Sequence, residues 1–270
     1  MSESRGGPAA GDFAHVDHVG RPSDSTGQAW AGKSIPTHGF GEDTGAAAPG
    51  LLEALNAMQE APTPESETAA MRAVAAARWL VPVVAVATEV TEASGSAGRS
   101  DKRSEMATVT LTAPDGSRAL PMFSSLAALA DWDPSARPVA VPAASAARAA
   151  VSEGCDVLVV DVACRHAVVL RPTMVWALAE QRAWQPSHLD AEVTGLVDRA
   201  CAPEPIVRAH RLEAGEPAGA GVLRVVLGVR PGLPADEISA LATRIGERIA
   251  TDAAARARID ALVFALEAAG

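Results

Sequence analysis

A chain of 270 residues has room for one large domain or two small ones, at about 100–200 residues each. Hydrophobic residues make up 48 % of it but aromatics only 3 %, with no Tyr, so Ala, Val and Leu must fill most of the core. The formal charge of −10 is spread evenly, at −3 over residues 1–47, −4 over 48–186 and −3 over 187–270. Such a surface repels phosphate backbones, and nucleic acid is not an expected partner.

Residues 1–47 read as a disordered tail, rich in Gly, Pro, Ser, Thr and Asp and without a sustained period. No apolar signal-peptide core lies there, and the run from Leu80 to Ala87 is too short to cross a membrane. A cytoplasmic protein with no membrane contact is expected. Leu51, Leu52, Leu55 and Met58 predict a helix broken by Pro62 and Pro64, and a second helix follows from Glu65 to Ala77. Trp79 to Val86 predicts a strand in which Pro82 marks an end, an edge or a bulge. Residues 88–105 read as a long loop.

Thr108 to Thr112 alternates polar and apolar, Pro114-Asp115-Gly116 turns, and Arg118 to Phe123 returns, which predicts a β-hairpin with Gly116 at positive φ. Ser124 or Ser125 caps a short helix that stops before Pro134. A strand at Val139–Val141 and an Ala-rich helix ended by Gly154 come next. Val157–Val160 is apolar throughout, as a strand covered on both faces requires. After Ala167–Leu170, Thr173 is placed as the cap of a helix through Leu178. A connector at Trp184-Gln185-Pro186-Ser187 leads to a helix from His188 to Ala200 with Leu189, Val193, Leu196 and Val197 as its stripe. Strands near Ile206–Leu212 and Val222–Val229 follow. A helix with Ile238, Leu241, Ile245 and Ile249 facing inward precedes a last strand at Ala261–Leu266.

The sequence spells several chemical motifs. Gly27 to Ser34 fits GxxxxGK[ST], with Lys33 in the lysine position, but no strand precedes it and Pro36, Gly39 and Gly41 break the helix a phosphate loop needs. Val157 to Asp161 imitates its metal-binding strand, as any apolar strand ending in Asp does. His15, His18, His38, His166, His188 and His210 form no ligand set. Cys155, Cys164 and Cys201 lack metal or redox spacing and read as small buried hydrophobes. Cys164-Arg165-His166 places a thiol beside a cation, yet reads more simply as a strand connection. Asp131/Asp133 suit a helix end and Asp156/Asp161 bracket a buried strand. No catalytic, cofactor-binding or metal-binding residue is assigned, and no cofactor is expected.

Several segments together resemble a known family. Trp30-Ala31-Gly32-Lys33-Ser34-Ile35-Pro36 is similar to a segment ahead of the domain in actinobacterial proteins of the SseB family, named for enhanced serine sensitivity. Arg78–Val84 resembles that family's first strand, and Thr108–Thr112 with Arg118–Phe123 resembles its hairpin. Leu126–Pro134, Cys155–Asp161 and Val175–Ala179 continue the likeness. The resemblance implies an SseB N-terminal-like domain at 48–184 and a C-terminal-like domain at 187–270, the latter through Arg256-Ala257-Arg258-Ile259-Asp260. It carries no catalytic residue.

The expected fold is α+β, two small domains each with a mixed sheet and covering helices. Two functions compete. One is a non-enzymatic interaction or regulatory factor with an unknown protein partner, for which Trp30 is a candidate anchor. The other is a small-molecule-binding or enzymatic protein linked to amino-acid (serine) metabolism, whose pocket would converge only in three dimensions.

Overall fold

The computed structural model describes residues 16–17, 43–87 and 104–269. In chain order the elements are β1 (Val16–Asp17), α1 (Leu51–Glu60), α2 (Pro64–Ala76), β2 (Arg78–Ala87), β3 (Ser104–Thr108), β4 (Thr110–Thr112), β5 (Arg118–Met122), α3 (Leu126–Trp132), β6 (Arg137–Pro142) and α4 (Ala143–Ser152). Then come β7 (Val157–Val160), β8 (Val168–Leu170), α5 (Pro172–Ala179), α6 (Ala191–Cys201), β9 (Val207–Ala214), β10 (Val222–Val229), α7 (Ala235–Thr251), α8 (Ala253–Arg256) and β11 (Ala261–Ala268). The fold is α+β, as the residue pattern implies. The chain divides into two compact units, each drawn from separate stretches of the sequence. Among the described residues, one holds 16–17, 43–49, 77–87 and 104–169, and the other holds 50–76 and 170–269.

The first of these units carries two sheets. β3-β2-β6 is antiparallel, and β1-β4-β5-β7-β8 is mixed, with β5 and β7 parallel. The hairpin forms as expected, with Leu111 opposite Ala119 and Gly116 at φ 87°. Thr108, however, ends β3, so the chain passes from one sheet to the next at Val109. Val157–Val160 is buried along its whole length between β5 and β8, which accounts for its unbroken apolar run.

Pro82 corrects the edge-or-end reading, because β2 is the middle strand of its sheet. Its partner on β6 is Pro138. Two prolines can exchange no N–H bonds, so they occupy a pair that needs none. The other side of Pro82 lies just past the ladder with β3, where its carbonyl accepts from the Val109 N–H at 3.4 Å. Ser125 caps α3 through the Ala128 N–H, and the rings of Phe123 and Trp132 meet at 5.3 Å in the cluster under it.

Most of the expected tail lies outside the described residues, as do 88–103 of the expected loop (Ser104 and Glu105 are instead in β3) and the candidates at Trp30, Lys33, His15, His18 and His38. Residues 43–47 are docked rather than free. Asp43 pairs with Arg78, the Ala46 carbonyl accepts from Arg78, and the Gly45 carbonyl accepts from the Leu126 N–H. Gly45 is at φ 78°, and a Cβ there would strike Leu126.

In the other unit, α1 and α2 form a helical hairpin. Thr63 accepts from the Ser66 N–H while Ser66 Oγ accepts from the Thr63 N–H, a reciprocal cap with Pro64 at the first helical position. The sheet β11-β10-β9 is mixed, antiparallel between β9 and β10 and parallel between β10 and β11. Leu223, Val225 and Leu227 of β10 pack with Val193 and Val197 of α6 and with Leu241, Ile245 and Ile249 of α7. Two sequence readings change here. α6 starts at Ala191 behind an Asp190 cap rather than at His188, and Leu189 is 55 % exposed in a short 3-10 turn, outside the stripe. No helix among the described residues is long and apolar enough to cross a membrane.

Candidate functional site

Three features stand out: a buried carboxylate in one unit, and a buried ionic knot and a free strand edge in the other. Asp161 follows β7 at the carboxyl end of two adjacent parallel strands, where sheets of this kind often bind ligands. It is a non-glycine residue at φ 49°, a conformation that flags constraint. Its carboxylate is fully engaged, accepting from the Ser124 N–H at 2.8 Å and from Ser124 Oγ at 2.7 Å. Both residues are buried. Burial pushes the Asp161 carboxyl up, and the two Ser124 bonds oppose the shift. The pair clamps the turn from β5 into α3, and Asp156, exposed beyond the other end of β7, does not join it.

The ionic knot is built on Arg171. Its guanidinium reaches Glu67 of α2 at 2.8 Å, Asp260 at 3.0 Å and the Gly219 carbonyl, and it lies 5.6 Å from the centre of the Trp184 ring. Thr173 donates to Asp260 through Oγ1 and its N–H, each at 2.9 Å, and accepts from Trp184 Nε1. This corrects the placing of Thr173 as a helix cap. Arg171 holds the capping position, Pro172 opens α5, and the Thr173 hydroxyl serves a partner 87 residues away. Every named group has a partner, so the knot ties α2, the start of α5, the β9–β10 loop and the approach to β11.

The cysteines sit in surroundings that suppress thiolate formation. Burial pushes Cys155 up to about 12 and Cys201 up to about 11, and burial with Asp161 and Asp131 nearby raises Cys164. Arg165 and His166 are exposed in the turn after β7. Asp131 and Asp133 sit at the end of α3, and His210 pairs with Asp198 at 2.7 Å. No group of three His, Cys, Asp or Glu side chains placed to hold a metal occurs among the described residues.

The free edge belongs to β11. It ends its sheet, and among the described residues no strand pairs with its outer side. Val263 and Leu266 are each 38 % exposed. The opposite edge, β9, is guarded by Arg208, His210, Arg211 and Glu213, whereas β11 carries one charge, Glu267. Charges, prolines and bulges are the usual guards of an edge, and β11 has no proline and an unbroken register with β10. On the face away from the helices, Arg211 bridges Glu213 and Glu267, and Arg224 reaches Glu213 at 3.4 Å. In the register Gly228 is flanked by Glu267 of β11 and Ala209 of β9, and Arg211 lies opposite Val226. The apolar run at Ala261–Leu266 was visible in the sequence. Its missing guard residues were visible too, but only the sheet order shows that this strand is an edge.

Residues 51–177 match the family model described as the SseB protein N-terminal domain. The match takes in the 77–169 segment and reaches into both neighbouring segments of the other unit. No curated protein and no solved structure matches the chain.

Proposed function

We propose that the chain acts as a protein-interaction or regulatory factor of the SseB type rather than as an enzyme, and that the rest of it, beyond the matched segment, is that family's C-terminal domain. The observation that carries the reading is the unguarded edge of β11, which offers backbone donors and acceptors beside exposed Val263 and Leu266. Strand addition to such an edge is a general mode of peptide and protein recognition. The buried polar groups favour the same reading. Asp161, Glu67, Asp260 and Arg171 are spent on holding turns and loops together, and the thiols are shifted away from nucleophilic form.

The test is affinity capture from the native host with the intact chain and with Val263→Lys and Leu266→Lys. Loss of a specific partner with both variants, while their melting curves match the parent, is the expected result. Equal recovery of every partner would remove β11 from the proposal.

A further inference from the structure

Resting on that reading, we propose that the partner of the β11 edge is a second copy of this chain, paired strand to strand and antiparallel about a two-fold axis at Phe264. The backbone fixes which groups are free. The Ala269 N–H donates to the Val229 carbonyl on β10 at 2.8 Å. Successive residues of a strand turn their N–H and C=O to opposite sides, so the odd-numbered residues of β11 bond to β10. Leu262, Phe264, Leu266 and Ala268 therefore present their backbone groups to the outside.

A two-fold axis normal to the sheet keeps the helix-bearing faces of both copies on one side. Residues facing each other must then share a face, which admits only registers that pair even numbers with even and odd with odd. Centred on Phe264, the pairing sets Phe264 opposite itself, Leu262 opposite Leu266, and Val263 opposite Ala265. Glu267 then faces Ala261, so no like charges meet across the seam. Leu266 and Val263, the exposed apolar residues of the strand, are both covered. Leu262 and Phe264 already pack against the helix-side core, so the seam continues that core from one copy into the next. The pairs at 262, 264 and 266 supply six N–H···O bonds, two for each pair, without disturbing any bond to β10.

Sedimentation of the full chain from micromolar to hundred-micromolar concentration is the primary measurement. It is expected to give a species of twice the 27.6 kDa chain mass at the upper end. Leu266→Pro removes only an outward N–H, so the dimer disappears while the fold persists, since proline is tolerated on an edge with its N side to solvent. Leu266→Lys gives the same loss by burying a charge, and serves if the proline variant fails to fold. In hydrogen exchange, the amides of Leu262, Phe264 and Leu266 become protected as concentration rises, whereas those of Val263 and Ala265 are protected throughout. A chain that stays monomeric overturns self-pairing, as does a dimer that survives both substitutions. If a monomer still captures a host protein through Val263 and Leu266, the interaction reading stands without self-pairing.

Discussion

Arg171→Ala probes the centre of the ionic knot. The side chains of Arg171, Glu67 and Asp260 are only 16, 10 and 7 % exposed, so solvent does little to screen what remains when the cation goes. Truncation leaves the Glu67 carboxylate and the Gly219 carbonyl without this donor, and Asp260 held only by Thr173. Removing one partner from a buried ion pair costs about 3–5 kcal/mol, because the stranded charge keeps its desolvation penalty. At urea slopes of about 1–3 kcal/mol/M, the unfolding midpoint falls by at least about 1 M. The double variant Arg171→Met with Glu67→Gln removes the Glu67 charge together with the cation. It should lose less than the sum of the two single changes, with a coupling of about 0.5–3 kcal/mol. Urea titrations of parent, singles and double, followed by circular dichroism, give all the terms. A cost below about 1 kcal/mol for Arg171→Ala, or strict additivity, refutes the reasoning, since it would place these charges in the surface class.

Arg244, together with Arg248, hydrogen-bonds Glu204 and holds its carboxyl down to about 2 against an ordinary value of 4.5. Its contribution to stability is therefore whole above pH 4.5 and is lost as pH falls through about 2. Denaturation at a series of acidic pH values should show Glu204→Gln flattening that slope. At Gly221, φ is 73° and a Cβ would lie 2.5 Å from Asp260 Oδ2 and 2.6 Å from Arg171 Nε, whereas at Gly232, with φ 83°, it would meet nothing within 4 Å. Both changes to Ala incur the left-handed penalty of roughly 1–2 kcal/mol, but Gly221→Ala should melt well below Gly232→Ala, and equal melting points would deny that the loop is pinned against the knot. A disulfide reagent at mildly alkaline pH should titrate Cys164 alone, and slowly, in the native protein, and all three thiols after unfolding; fast native labelling of Cys155 or Cys201 would contradict their burial.

What the sequence made legible was local. α1 is set by Leu51, Leu55 and Met58 at helical spacing, the hairpin by alternation around Asp115-Gly116, and β7 by four apolar residues in a row. Each of those signals lies within one element. The misplaced residues fail for the opposite reason. Thr173 looks like a cap because Ser and Thr ahead of an apolar run usually are caps, yet its hydroxyl is claimed by Asp260 from far along the chain. Pro82 looks like an edge residue because a lone proline breaks a ladder, and only the register reveals Pro138 opposite. One junction between the units, Pro49–Gly50, is a Pro-Gly break close to the boundary at 47/48, whereas those at Ala76–Ala77 and inside β8 carry no Gly- or Pro-rich signal that a sequence reading could use.

The ionic knot and the strand edge share this dependence on distance. Glu67 and Arg171 are 104 residues apart, and neither neighbourhood hints at the other. β11 differs in one respect that bears on function. Its lack of guards is written in eight consecutive letters, Ala261 to Ala268, and becomes meaningful once β10 is seen to cover one side of it and none of the described strands the other. A buried strand can be apolar without consequence, whereas an edge strand of the same composition favours a partner strand. The sequence thus carries the chemistry of the contact, and the sheet order turns it into a surface that another strand can read.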